Sequence, residues 1–454
     1  MAHPHLLLLG AGKSAATLIG YLHALVASEH WQVTVADRDL SVVEEKIAPY
    51  PGLTARTIDL ENQDERIQLI SEAGLVISLL PPSLQLTVAK DCLALGKHFL
   101  SASYTDPGLL PLAEEIKAKN LLFLMEMGLD PGIDHMSAME LIHRIREAGG
   151  TIHSFASHCG GLVAPASDDN PWHYKFSWNP RNVILAGKAG AVFKQNNQIT
   201  RLSYEQLFSF DQPVHIAGIG ELATYPNRDS LAYIPIYGLE SADTFVRTTL
   251  RYPIFCRGWQ LLIQLGCTRE DNHISTEGLS HRDFFQLLLE QAGMRREDIP
   301  SALLPLMISI GWNDDTPLAC PAGCAANILQ SILEKRWALL PGDRDMIVML
   351  HELTYQQGTK KMQLHAQLVV EGDDQLHTAM AKTVGLPLGI AAALIMKGVI
   401  KSRGLQIPIE PDIYEPVLAE LKAKGIRFQE QLQELHKCFA FLGSFLLVSC
   451  ITHS

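Results

Sequence analysis

The chain has 454 residues, 47% of them hydrophobic and 19% charged, with a net charge of -12. That length exceeds one ordinary core, so roughly two or three domains are expected. The acidic balance, with no basic cluster, argues against a nucleic-acid partner, and no basic segment leads into a long apolar core at the start, so no secretory signal is read and a cytoplasmic, membrane-free protein is expected.

The cysteines, at 92, 159, 256, 267, 320, 324, 438 and 450, are scattered, which suits reduced thiols in a cytosol. The Cys320 to Cys324 spacing is too wide for a CxxC redox motif. No second cysteine or histidine pair completes a zinc site, so no metal is expected.

In chain order, residues 5–9 form an apolar strand candidate that runs straight into Gly10-Ala11-Gly12-Lys13-Ser14-Ala15. A helical pattern follows in Ala16, Leu18, Ile19, Leu22, Leu25 and Val26. This is G-x-G-x-x-A between a strand and a helix. The first glycine permits the turn, the second lets a pyrophosphate approach the backbone, and the small Ala15 allows close packing of helix on strand. The helix start offers N–H groups and a positive dipole end to the phosphate. A second strand, 32–36, ends in Asp37, placed to bind the adenosine ribose hydroxyls and to repel a 2′-phosphate. Asp37 therefore favours NAD, while the neighbouring Arg38 guanidinium suits a 2′-phosphate and keeps NADP in play.

The alternation continues with strands at 54–60 (Asp59 near the end), 75–80, 98–102 and 121–125, and helices at 61–72, 84–95 and 109–119. Such alternation predicts an α/β fold, a Rossmann-type doubly wound parallel sheet. Ligands bind beyond the carboxyl ends of its strands. Residues 10–15, Asp37, Ser78, Ser103-Tyr104 and the loop 128–135 are thus expected to converge on one crevice. The last of these lies in Glu126-Met127-Gly128-Leu129-Asp130-Pro131-Gly132-Ile133-Asp134-His135. Two glycines and a proline impose a tight, irregular turn there, loaded with two aspartates and a histidine.

From about 151 the pattern changes. A strand is read at 151–158, ending in Cys159-Gly160-Gly161, and aromatics alternate around Lys175 between His173 and Trp178. A hairpin is read at 192–201 and a strand at 246–252. Lys175, Arg228 and Arg251 fall in strand-and-turn settings that suit a pocket for carboxylates, which arginine grips with two parallel hydrogen bonds. Residues 270–338 read as a small helical piece, with helices at 282–292, 300–310 and 325–337. Residues 345–354 and 361–371 read as a hairpin. The stretch 378–398, rich in Ala, Gly and Met, reads as a helix packing closely on the first domain. The expected division is 1–130 with 378–435 returning to it, 131–270 with 339–377, and 271–338. An apolar tail at 438–451 is short for a membrane span, which needs about 20 residues.

Assembled, these residues resemble the saccharopine dehydrogenases of the glutamate-forming type, also called saccharopine reductases. The matching segments are GAGKSA (10–15), VISLLP (76–81), SASYTDP (101–107), MGLDPGIDHM (127–136), SHCGGLVAP (157–165), NPWHYKFSW (170–178), YPNRDS (225–230), TTLRY (248–252), DMIVM (345–349) and AMAKTVGLP (379–387), spread over almost the whole chain. The resemblance implies a nucleotide-binding domain, a mixed α/β domain that binds substrate and pairs subunits into a homodimer, and a small helical domain. It implies that 2-aminoadipate 6-semialdehyde and L-glutamate condense to an imine, which NAD(P)H reduces to saccharopine.

By position, Ser103, Tyr104, Asp130, Arg228, Thr249, Leu250 and Arg251 resemble the family's substrate contacts, with Lys175 near the nicotinamide side. Gly10, Gly12, Lys13, Ser14, Ala15, Asp37, Arg38, Asp59, Ser78, Leu79 and Ser103 resemble its cofactor contacts, joined by Leu129, Asp130, Pro131 and Ile133 from the central loop. Tyr104, Asp130 and Cys159 resemble side chains that assist proton transfer. Two departures bear on substrate preference: His158 stands where the family often has an aromatic, and Trp172-His173 replaces smaller residues. The alternatives are a carboxynorspermidine-type dehydrogenase, which should lack the YKFSW and YPNRDS segments, and a non-catalytic nucleotide sensor, which should have lost the substrate residues.

Overall fold

The computed structural model describes residues 4–210, 212–320 and 322–435. The apolar tail at 438–451 lies outside the described residues. Six parallel strands open the chain: β1 (His5–Leu9), β2 (Gln32–Asp37), β3 (Thr54–Thr57), β4 (Leu75–Ser78), β5 (His98–Ser101) and β6 (Leu122–Leu124). They lie in the order β6-β5-β4-β1-β2-β3. A parallel sheet is covered on both faces, so its inner strands are largely apolar, while the edge strand β3 is polar and mostly exposed. In β1, Leu6 and Leu8 enter one core and Leu7 and Leu9 the core on the opposite face. The sheet is the doubly wound, Rossmann-type sheet expected.

The irregular turn is shorter than expected. A helix, Ile133–Glu147, begins inside it and places Asp134 and His135 in its first turn. Gly132 ends the turn at φ +146°, where a Cβ would come within 2.0 Å of the Gly128 carbonyl oxygen. The Gly132 N–H is taken up by Asp134 Oδ1 at 2.6 Å. Met136, Met139, Ile142 and Ile145 then repeat at helical spacing and are buried.

The next nine strands build a mixed sheet: β7 (Gly150–Val163), β8 (Ala191–Gln195), β9 (Gln198–Leu202), β10 (Gln212–Ile216), β11 (Gly220–Pro226), β12 (Arg228–Asp229), β13 (Thr244–Arg251), β14 (Asp345–Gln357) and β15 (Lys360–Glu371). Strand β7 does not stop at Cys159. It runs through Gly160 and Gly161 because a side chain is what the position forbids: a Cβ on Gly160 would lie 2.5 Å from the Leu250 carbonyl oxygen. The glycine lets β13 and β14 close on β7 from both sides.

Between β13 and β14 lie the helices Pro253–Gln264, His281–Gln291, Leu304–Ser309 and Ala325–Arg336. They pack round the fully buried Trp172, Trp259 and Trp337. The helix Ala379–Met396 returns to the first unit and lies on the helix Ala16–Glu29. Its glycines permit the approach: a Cβ on Gly389 would sit 2.6 Å from Tyr21. This helix is long and apolar enough to cross a membrane, yet most of it is buried inside the protein. Strand β16 (Gly404–Gln406) then extends the first sheet beyond β6. The return was expected to run to 435, but β17 (Gln429–Glu434) leaves it and pairs antiparallel with β15. Its polar sequence suits an exposed sheet edge.

Candidate active site

The glycine turn is built from backbone. Gly10 holds φ +100°, and a Cβ there would crowd the Leu79 backbone at 3.1 Å. Leu79 N–H in turn donates to Leu9 O at 2.9 Å, which locks the ends of β1 and β4 together. Ala15 is fully buried beneath the turn. A Cβ on Gly12, by contrast, would meet nothing within 4 Å. The space over Gly12 is thus open, while the Ser78 hydroxyl at the end of β4 is buried with no partner among the described residues. An open cradle beside an orphaned donor fits a dinucleotide pyrophosphate.

Asp37 closes the turn from the end of β2, its Oδ2 accepting the Ala11 N–H at 2.8 Å. Lys46 reaches over to donate to the Gly12 carbonyl oxygen. Burial lowers the proton affinity of Lys46, and the Asp37 charge opposes that fall. Burial also lowers that of Lys13, against the nearby Glu334 carboxylate of the helical piece. Arg38 is exposed, Ser14 is half-buried, and Asp59 is an exposed turn residue whose Oδ1 accepts the Glu61 N–H at 2.9 Å.

Beyond β5 and β6 a cavity of about 1190 Å³ is walled by Tyr104, Glu126, Arg201, Arg228, Tyr233 and Arg247, among others. The Arg228 guanidinium lies 5.0 Å from the centre of the Tyr104 ring, a cation–π contact. Arg228 holds φ +53°, so the two-residue strand β12 is bent to aim it. Burial raises the Tyr104 hydroxyl well above its ordinary value, so it stands neutral and can donate. Ser103 is tied into the loop: its carbonyl oxygen accepts the Glu126 N–H at 3.0 Å, and its hydroxyl accepts from Gln85 at 3.3 Å.

Two buried ionic groups stand behind this wall. Arg247 Nη2 donates to Asp130 Oδ1 and to Asp134 Oδ2, each at 2.7 Å. Burial pushes the Asp130 carboxyl up to about 6 against the pull of Arg247. Burial works the same way on Asp134, but His135, Arg247 and the Gly132 N–H outweigh it and hold Asp134 below the usual carboxylate range. Glu126, at φ +57°, is the second centre. Its Oε1 accepts from Thr105 N–H (3.0 Å) and hydroxyl (2.9 Å), and its Oε2 accepts from Tyr233 (2.9 Å) and lies 2.9 Å from His135 Nε2. Burial opposes its charge, yet those partners keep it below the ordinary range. Arg247, Glu126 and Tyr233 were not among the expected site residues. The signal for Arg247 was present: in a strand, 247, 249 and 251 share one face.

Several expected site residues are differently placed. Lys175 is not a free carboxylate clamp. Its ammonium is buried between Asp169 and Asp343, each at 2.8 Å, so its charge is already matched. The Leu250 side chain points into a core on the opposite face of the sheet from Thr249, and only its backbone faces its neighbours. Arg251 does not line the cavity; its guanidinium donates to the Leu250 carbonyl oxygen at 2.7 Å and lies over the Tyr174 and Phe255 rings. Cys159 is buried, and burial with the Asp130 and Asp134 charges pushes its thiol far up, so it stands as a neutral thiol and not a thiolate. Leu129 and Ile133 are core side chains that offer a ligand only backbone, and Pro131 lies buried between them. The two departures lie off the cavity: His158 bonds Thr248 at 2.7 Å and Glu352 at 3.0 Å across the outer face of the sheet, and Trp172 donates to Leu306 O at 2.9 Å in the helical core.

A doubly wound sheet with an open glycine cradle, set beside a cavity whose Arg247 bonds a buried carboxyl raised toward neutrality, defines an NAD(P)-dependent oxidoreductase. Residues 6–124 match the family described as the saccharopine dehydrogenase NADP binding domain, and residues 128–426 match the saccharopine dehydrogenase C-terminal domain. The chain belongs to the saccharopine dehydrogenase family. A relative from Schizosaccharomyces pombe, named saccharopine dehydrogenase [NADP(+), L-glutamate-forming], is 31% identical over 94% of this chain and 99% of its own length. An alpha-aminoadipic semialdehyde synthase from Arabidopsis thaliana is 32% identical over 94% of this chain, which spans only 45% of that longer protein. The solved structure of the apo L-Glu-forming enzyme from Saccharomyces cerevisiae superposes with a TM-score of 0.83 at 30% identity, covering 95% of this chain and 100% of its own.

Proposed function

We propose that the protein interconverts saccharopine with L-glutamate and L-2-aminoadipate 6-semialdehyde, using NAD(P), in lysine metabolism. The observation that carries this reading is the end-to-end likeness to relatives named for that reaction, with Tyr104 and Arg228 lining one cavity and Asp130 bonded to Arg247 of its wall. A nicotinamide held over the glycine turn would supply the hydride acceptor for the carbon that becomes the aldehyde. Asp130 takes the proton that the secondary amine loses, and a C=N bond forms. Water then adds across it, hydroxyl to carbon and proton to nitrogen, and the C–N bond breaks to give the aldehyde and the glutamate amine. A carboxyl poised near neutrality can accept the proton and return it in the reverse direction. Tyr104 donates a hydrogen bond without losing its proton, and Arg228, with no carboxylate partner among the described residues, is free to grip a substrate carboxylate.

The expected preference for NAD, read from Asp37, gains no support from the relatives' names, which carry NADP(+). The Asp37 carboxylate is already engaged with Ala11, Lys46 lies near it, and the next residue, Arg38, is an exposed cation that suits a 2′-phosphate. We therefore place NADP ahead of NAD. The reading includes a homodimer in the cytosol. The exposed Val369 and Leu432 on the second sheet support the first, and the scattered spacing of the cysteines supports the second. Sedimentation at two concentrations tests the dimer.

The functional test mixes purified protein with saccharopine and either NADP or NAD and follows the absorbance of the reduced nicotinamide. Steady growth, faster with NADP at equal concentration, is expected. Folded protein giving no signal with either cofactor would remove the reading.

A further inference from the structure

We propose that Arg247 is a positioning residue: by bridging Asp130 and Asp134 it fixes the Asp130 carboxylate for proton transfer. The inference rests on the proposed reaction, and its test is separable from it. The geometry comes first. A single guanidinium nitrogen donates to both carboxylates at 2.7 Å. The rest of the group lies 4.5 Å from the centre of the Tyr233 ring, which itself bonds Glu126. Arg247 therefore cannot swing without breaking a buried network.

The two carboxylates are not equivalent. Asp134 is anchored at the helix start by the Gly132 N–H and keeps 2% of its side chain exposed, whereas Asp130 keeps 14%. Asp130 is the more open of the two. One cation thus serves two acids, and the acid with the better anchor holds its charge more firmly. Asp130 shares Arg247 with Asp134 in a largely buried site, which is how paired carboxylates come to divide acid and base roles. Burial pushes Asp130 up, Arg247 opposes it, and Asp134 adds to it. The other groups facing Asp130 are His135 on the same helix, Arg228 on β12, Tyr104 after β5, Cys159 on β7 and Tyr237.

Arg247→Met and Asp134→Asn therefore act in opposite directions. Without the arginine, Asp130 faces Asp134 with no counter-charge. The acid limb of log kcat/KM for saccharopine oxidation should move up by about one pH unit or more. Without the Asp134 charge, Arg247 answers Asp130 alone, and the limb should move down by about as much. Arg247→Lys keeps the charge but carries it on a compact ammonium without the planar head that lies against Tyr233, so it should hold the limb within about half a unit while lowering kcat. An arginine that merely braced the fold would leave the limb fixed in every variant that turns over, and that result overturns the proposal. Shifts of one sign in both variants overturn it too. The carboxyl stretch of Asp130, identified in infrared difference spectra against Asp130→Asn, reports the same titration without turnover. Should Arg247→Met fail to fold, Asp134→Asn decides alone, by a downward shift or by none. Opposed infrared shifts in the two variants, with a wild-type protein that does not oxidise saccharopine, would sink the substrate assignment and leave the role of Arg247 standing.

Discussion

The glycine turn at residues 10–15 and the charged cluster around Asp130 are built by opposite means. The turn is backbone: neighbours in sequence, fixed by φ angles and by what a Cβ would strike. The cluster is side chains, drawn from residues 104–105, 126–135 and 228–247 and held by hydrogen bonds in a dry interior. A backbone site is tolerant where it faces open space. A buried ionic site is not, because each charge taken from water must be matched by a partner.

Gly132 is where the two designs meet, and its loss should have the largest effect. Gly132→Ala drives a Cβ into the Gly128 carbonyl, and a loss of about 3–5 kcal/mol is expected in urea unfolding. A variant within about 1 kcal/mol of wild type would show that the loop yields. Glu126→Gln comes next, at about 2–4 kcal/mol, since it leaves His135 and Tyr233 facing a neutral amide. Glu126 is held below the ordinary carboxylate range, so its contribution is present above that range and is lost as pH falls through its lowered folded value. The acid arm of the stability curve should flatten in Glu126→Gln. An unchanged arm would mean that the network does not depend on that charge. The smallest structural effect belongs to Gly12→Ala, where a Cβ meets nothing. Stability should stay within about 0.5 kcal/mol, while dinucleotide affinity measured by calorimetry falls. Unchanged affinity would move the pyrophosphate away from Gly12.

The doubly wound sheet was legible because buried strands and amphipathic helices alternate visibly in β1 to β6, and because GAGKSA concentrates its meaning in six neighbours. That Tyr104 and Arg228 would line one pocket was implied by the resemblance, which gave both as substrate contacts. The rest was hidden by distance and by parity. Nothing near Lys175 announces Asp343, a partner 168 residues on. Attention to Thr249, Leu250 and Arg251 as a consecutive run overlooked the alternation of a strand, which turns Leu250 away and brings Arg247 in. The helix Ile133–Glu147 was masked because Pro131 and Gly132 read as a loop, when they are the stop that lets the helix begin.

The last part of the chain carries its own consequence. Strand β16 is laced into one body and β17 into the other. Together with the passages from β6 into the helix Ile133–Glu147 and from β15 into the helix Ala379–Met396, this gives the two bodies three tethers and not one. Their separation cannot be a wide swing about a single strap. Entry and exit of a ligand fit shallow rocking, with all three tethers kept taut.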